Sequence, residues 1–137
     1  MPRWFLLLLL FAVSVAAEEL LVVTNPANDI GPLDAAQLRQ IYLGKRRYWK
    51  TLKLFPINLP PANPLRKRFE REVLHMTPSA LDAYWMKEHY LGHRPPYRVE
   101  SVESVIRFVR KLKGAIGYIP KHRLSGNLKV IYRIKDE

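Results

Sequence analysis

An α/β domain, a small sheet covered by helices, is the fold class the sequence predicts, and three observations predict it. Short apolar runs bounded by turn residues, "ELLVVTNP" and "GAIGYIP", read as buried strands. Between them lie longer segments with apolar residues at helical spacing, clearest at Val102, Val105, Ile106, Val109 and Leu112. The helical segments open on capping residues, and the order that results is β-α-β-α-α-α-β-β, which suits helices layered on a sheet.

The first strand, within Glu19 to Pro26, is ended by Asn-Pro. Asp34 is placed to cap the first helix, because its carboxylate can accept free amide hydrogens of the opening turn. Leu38, Ile41 and Tyr42 sit on one side of that helix, and Gly44 is placed to end it. "LKLFPINL" reads as the second strand, with Pro56 marking an edge or an irregular end. Asn63 then stands at a cap position and Pro64 at the first helical position, where a missing amide hydrogen costs nothing. Leu65, Phe69, Val73 and Leu74 form the apolar stripe of this second helix. "TPSALDAY" opens a third, carrying Leu81, Tyr84, Trp85 and Met86 and stopping near Gly92. "HRPPYRVES" is expected to be a loop, since adjacent prolines exclude a helix. Ser101 and Ser104 both could cap the fourth helix, which gathers Arg110, Lys111 and Lys113 at its end, where cations suit the helix dipole. "GAIGYIP" and "LKVIYRI" complete the set as strands.

Residues 1–17 read as a segment outside the fold. "MPRW" gives a positive start, "FLLLLLFAVSV" an apolar core, and Val15 and Ala17 the small residues of a cleavage site. Together they predict a secretory signal peptide cut between Ala17 and Glu18, leaving residues 18–137 as one exported, periplasmic domain. A spanning helix needs about 20 apolar residues, and Glu18 and Glu19 end this run sooner. The chain has no cysteine, so neither a disulfide framework nor a thiol nucleophile is available. An apolar fraction of 48% supports a true core.

The formal charge of +11 favours anions and anionic surfaces in general. Its cations are spread over several helices, and neither zinc-finger spacing nor an aromatic RNA-binding motif is present, which argues against a nucleic-acid partner. His89 and His93 stand four apart, a helical metal-ligand spacing, but Gly92 breaks the helix between them and no carboxylate or cysteine cluster completes a site. The serines and carboxylates at helix starts are explained by capping. The expectation is a non-enzyme without a cofactor or metal.

"VVTNPAND", "LDAAQLRQIYLGKRRYW", "FPINL", an arginine-rich helix ending in "VL", and "GAIGYIP", in that order, resemble the periplasmic phosphate-binding proteins of ABC transporters. The likeness covers nearly all of Leu20 to Pro120 and corresponds to one lobe of that two-lobe, type 2 periplasmic-binding-protein-like fold. "YWMKEHYLGHRPP" is similar to small, stand-alone, single-lobe members. The resemblance implies a solute-binding role with phosphate or a related oxyanion as ligand. In the family a Ser-Gly-Thr opening a helix holds the oxyanion; counted back from Phe69 it falls on Asn63-Pro64-Leu65, where both hydroxyls and one amide hydrogen are missing. The family arginine falls near Leu59. Asn63, Leu65, Arg66 and Arg68 are therefore the expected oxyanion ligands, the two guanidinium groups compensating through paired hydrogen bonds. The same replacements leave an alternative open: an interaction module that keeps the fold without the ligand and docks on an envelope sensor, a transporter, an anionic surface or a second copy of itself.

Overall fold

The computed structural model describes residues 18–135, so the predicted signal peptide and its cleavage site at Ala17 lie outside the described residues or at their border. Strands β1 (Leu20–Thr24), β4 (Phe55–Asn58), β5 (Tyr97–Arg98), β6 (Ala115–Pro120) and β7 (Lys129–Ile134) form a five-stranded sheet in the order β5-β4-β6-β1-β7. β4, β5 and β6 run parallel, and β1 runs against both β6 and β7. A separate hairpin joins β2 (Tyr48–Trp49) to β3 (Leu52–Lys53). The helices are α1 (Ala35–Tyr42), α2 (Pro64–Phe69), α3 (Pro78–Tyr90) and α4 (Val102–Lys111).

The capping residues act as their chemistry predicts. Asp34 accepts the Gln37 amide at 2.7 Å while the Gln37 side chain reaches back to Asp34 N, a complete capping box. Asn63, Thr77 and Ser101 cap α2, α3 and α4, and Ser104 lies inside α4 rather than at its cap.

Two expectations change. "LKLFPINL" divides: its first residues fold back as β3 against β2, and only Phe55–Asn58 enters the main sheet. "HRPPYRVES" is not wholly loop, because Tyr97–Arg98 pairs in parallel with Ile57–Asn58. The two residues are too few, and their partner too distant in sequence, to produce a periodic signal. The second helix also changes pitch: after Phe69 the chain widens into a π-turn over Glu70–Leu74 and stops at His75 with φ 52°. Arg39 of α1 donates from Nε to the Val73 carbonyl at 3.0 Å, satisfying an acceptor that the end of the helix leaves open.

The core sits on both faces of the sheet. β1 is wholly buried, as a strand between two neighbours under two helical layers must be. On one face α4 presses its valines against β6, and a Cβ at Gly117 would come within 2.4 Å of the Val105 side chain. On the other face Tyr42, Phe69 and Tyr118 form an aromatic trio, with Phe69 stacked on Tyr118 at 4.4 Å and tilted against Tyr42 at 4.6 Å. The Tyr42 hydroxyl donates to the carbonyls of Ile57 at 2.9 Å and Ile116 at 3.2 Å, tying α1 to β4 and β6. Gly114, at φ 88°, brings the start of β6 beneath the Lys53 carbonyl; a Cβ there would lie 1.9 Å from that oxygen. By contrast α3 buries only Leu81 fully and half-buries Tyr84 and Trp85, leaving Met86 exposed.

Candidate functional site

In open α/β sheets the crevice beyond the carboxyl ends of parallel strands is where ligands collect. Here that edge is made by the exits of β4 and β5 and by α2. Asn58, the last residue of β4, is buried; its side-chain oxygen accepts the Tyr118 hydroxyl and the Leu59 amide, the latter at 3.2 Å. The aromatic trio thus fixes the Asn58 side chain. With its oxygen occupied in this way, its NH₂ group donates to none of the described residues, and Asn58 lines a hollow of about 260 Å³.

Arg66 enters the same hollow from α2. Its Nε donates to Glu70 at 2.6 Å and its Nη1 to the Leu59 carbonyl at 2.9 Å. Arg98, the last residue of β5, enters from the opposite side, loosely paired with Glu100 at 3.6 Å. Pro61, Trp85 and Pro96 complete the walls. Two guanidinium groups and an amide therefore converge on one concave surface. Glu70 also lines it and offsets the charge of Arg66, whereas the partner of Arg98, Glu100, lies outside the lining. Burial raises the hydroxyl pKa values of Tyr42 and Tyr118 well above the usual 10.0, so both stay protonated donors at neutral pH.

The four residues expected from sequence separate. Asn63 accepts the Leu65 amide at 2.9 Å, so the cap takes up both the Asn63 oxygen and the Leu65 N–H. Arg68 turns to the other side of α2: Nε bonds Glu72 at 3.1 Å, and its Nη groups bond the carbonyls of Glu18, Ile134 and Lys135. It clasps the two ends of the described chain. Of the four, only Arg66 reaches the hollow. Asn58 and Arg98 were missed because the first reads as a strand end and the second as part of a proline loop. Their signal, a polar residue closing an apolar strand and a lone arginine beside "PPY", is weak without knowledge that β4 and β5 are neighbours. His93 pairs with Glu88, and among the described residues no group of three or more His, Asp or Glu side chains is placed to hold a metal.

No protein-family model matches the sequence, and neither does any curated protein. Solved structures do match in fold. An ABC-type phosphate transport receptor from Vibrio cholerae superposes with a TM-score of 0.66 at 20% identity, over 85% of this chain and 47% of that one. A protein described as a phosphate ABC transporter substrate-binding protein, with bound phosphate, from Clostridium perfringens gives 0.70 at 17% identity, over 85% and 46%. PstS from Borrelia burgdorferi gives 0.65 at 20%, over 85% and 47%. The fold is that of a periplasmic binding protein. The chain spans under half the length of the structures it matches. No helix of the described residues is long and apolar enough to cross a membrane.

Proposed function

We propose that this is a solute-binding protein of the envelope, exported by residues 1–17, that takes phosphate or a related oxyanion at the carboxyl ends of β4 and β5. The observation that carries the reading is the convergence of Arg66, Arg98 and the Asn58 amide on one hollow, in a fold shared with phosphate-transport proteins. Arg98 supplies a half-exposed guanidinium that Glu100 engages only at 3.6 Å, Asn58 a rigid neutral donor, and Arg66 the remaining hydrogens of a group already anchored by Glu70. Binding at such an open site is sensitive to salt. Capture strengthens where a second surface, from another protein or a second copy, excludes water from it.

Calorimetry with phosphate and sulfate at low salt tests this. Saturable heat that disappears in Arg98→Ala, with an unchanged melting temperature for the free variant, is the expected result. Neither heat nor a thermal shift at millimolar anion ends the proposal.

A second reading is favoured by Asn63 and Arg68, whose donors and acceptors serve the protein's own backbone. It makes the protein an interaction module that keeps the lobe and docks on an envelope protein or on its own copy. A single salt-sensitive partner recovered from envelope extract, with no anion heat, supports it. Tight phosphate binding by the isolated protein with no such partner excludes it.

A further inference from the structure

A second and larger hollow lies at the opposite end of β4. It encloses about 630 Å³ and is floored by Phe55, Ile57, Tyr97, Phe108 and Leu112, with Trp85 as one wall. That volume lies within the range of sites that bury small organic ligands. Tyr97 and Phe108 pack at 5.5 Å between ring centres, so the floor is already assembled. Tyr97 is nonetheless 62% exposed, which makes this an uncovered apolar surface rather than core.

Its rim has one sign. Arg46, Arg47, Lys53 and Arg94 all line the hollow, and no aspartate or glutamate does. None of the four pairs with a carboxylate among the described residues. Arg46 lies 4.0 Å over the Trp49 ring and the Lys53 ammonium 5.3 Å from the Phe55 ring, so aromatic faces hold two of the cations at the mouth. By contrast Arg66, Arg68, Arg123 and Arg133 each meet a glutamate.

The edge of β4 distinguishes among anionic occupants. Asn58 presents its carbonyl to Val99 beyond β5, so Pro56, two residues earlier, faces the same side where β5 no longer reaches. Pro56 has no amide hydrogen, and a peptide adding as a strand would find its donor missing. A flexible chain needs no such donor.

We infer that the hollow beside Pro56 binds a single-chain anionic amphiphile, with the alkyl tail on Phe55, Tyr97, Phe108 and Leu112 and the acidic head among Arg94, Lys53 and Arg46. This hollow adjoins the oxyanion hollow, with Trp85 and Pro96 lining both, but its apolar floor and its cations are other residues, and its occupation does not depend on phosphate.

The full chain, titrated with decanoate, 1-decanol, inorganic phosphate and a glutamate-rich peptide, provides the test, read by tryptophan emission and by NMR shifts. Decanoate is expected to saturate and to move the resonances of Tyr97, Phe108 and Leu112. Lys53→Glu with Arg94→Glu is expected to weaken decanoate about tenfold and to leave 1-decanol unchanged, because the floor is intact. Leu112→Asp is expected to weaken both, with circular dichroism confirming the fold. The inference is overturned by no saturable change with decanoate, by equal affinity in the charge-reversed variant, or by shifts confined to Asn58 and Arg98. Binding of the acidic peptide in preference to decanoate overturns it as well. A null result with phosphate alone leaves this outcome intact while ending the oxyanion proposal.

Discussion

The two ends of β4 carry similar numbers of cations and use them differently. Around the carboxyl end each guanidinium group meets a carboxylate: Arg66 bonds Glu70 and the Leu59 carbonyl, Arg98 lies 3.6 Å from Glu100, and on the other side of α2 Arg68 bonds Glu72 and three chain-end carbonyls. At the amino end Arg46, Lys53 and Arg94 stand without carboxylate partners above an apolar floor. The difference teaches how to read a basic composition. A net charge of +11 says nothing of where attraction survives; pairing decides it, because a paired, half-buried cation contributes to the fold, whereas an unpaired one at a rim remains available to a ligand.

The comparison breaks most sharply if the aromatic trio is removed. Phe69→Ala takes away the ring that stacks on Tyr118 and leaves a cavity under Asn58. A loss of about 3–5 kcal/mol in urea unfolding is expected, as for other buried aromatic truncations. Oxyanion binding falls with it, since the Asn58 amide loses its fixed orientation.

Arg66→Ala comes next. It strands Glu70, which is buried, beside a hollow that no longer holds its partner. A cost of about 3 kcal/mol is expected, and Arg66→Ala with Glu70→Ala should recover part of it. At the amino end, Arg94→Ala should change stability by less than about 0.5 kcal/mol. Equal costs for Arg66 and Arg94 would erase the distinction between the two ends.

Alkaline pH probes the same trio without a mutation. Folding raises the pKa values of Tyr42 and Tyr118 above the usual 10.0, chiefly because burial disfavours the phenolate. A raised value means the folded state holds the proton more tightly than the unfolded one. Stability is therefore complete below pH 10 and declines as pH rises from there toward the folded-state values. The slope is about 1.4 kcal/mol per pH unit for each tyrosine. Denaturant midpoints measured across that range should fall, and Tyr118→Phe should make the fall shallower while lowering stability at neutral pH.

Much of the fold was legible in the sequence because its signals are local. Asp34, Asn63, Thr77 and Ser101 each act within three residues of themselves, and the apolar spacing of α4 is explicit in the chain. The approaches of Gly114 to the Lys53 carbonyl and of Gly117 to the Val105 side chain, by contrast, have partners that lie outside their own stretch. The candidate site was less legible, because its parts meet through pairing across long separations. Asn58 and Arg98 become neighbours only through the two-residue β5, and Arg66 and Arg68, two residues apart, point to different sides of one helix. The larger hollow joins the β2–β3 side of the chain to the loop before β5 and to α4, a combination no single stretch displays.

Asn63→Ala gives the smallest effect and the sharpest discrimination. Asn63 occupies the position where the resembled family places an oxyanion hydroxyl, yet its oxygen accepts the Leu65 amide at 2.9 Å and so serves α2. If the residue is a cap and nothing more, its loss costs about 1 kcal/mol, seen as a lower denaturant midpoint with an unchanged slope. Phosphate and sulfate heats should then match those of the parent protein, because Asn58, Arg66 and Arg98 are untouched. If Asn63→Ala instead removes the anion heat while Arg98→Ala keeps it, the ligand lies at the start of α2 and the cap opens to admit it. Arg98 would then be a surface cation balanced by Glu100 alone.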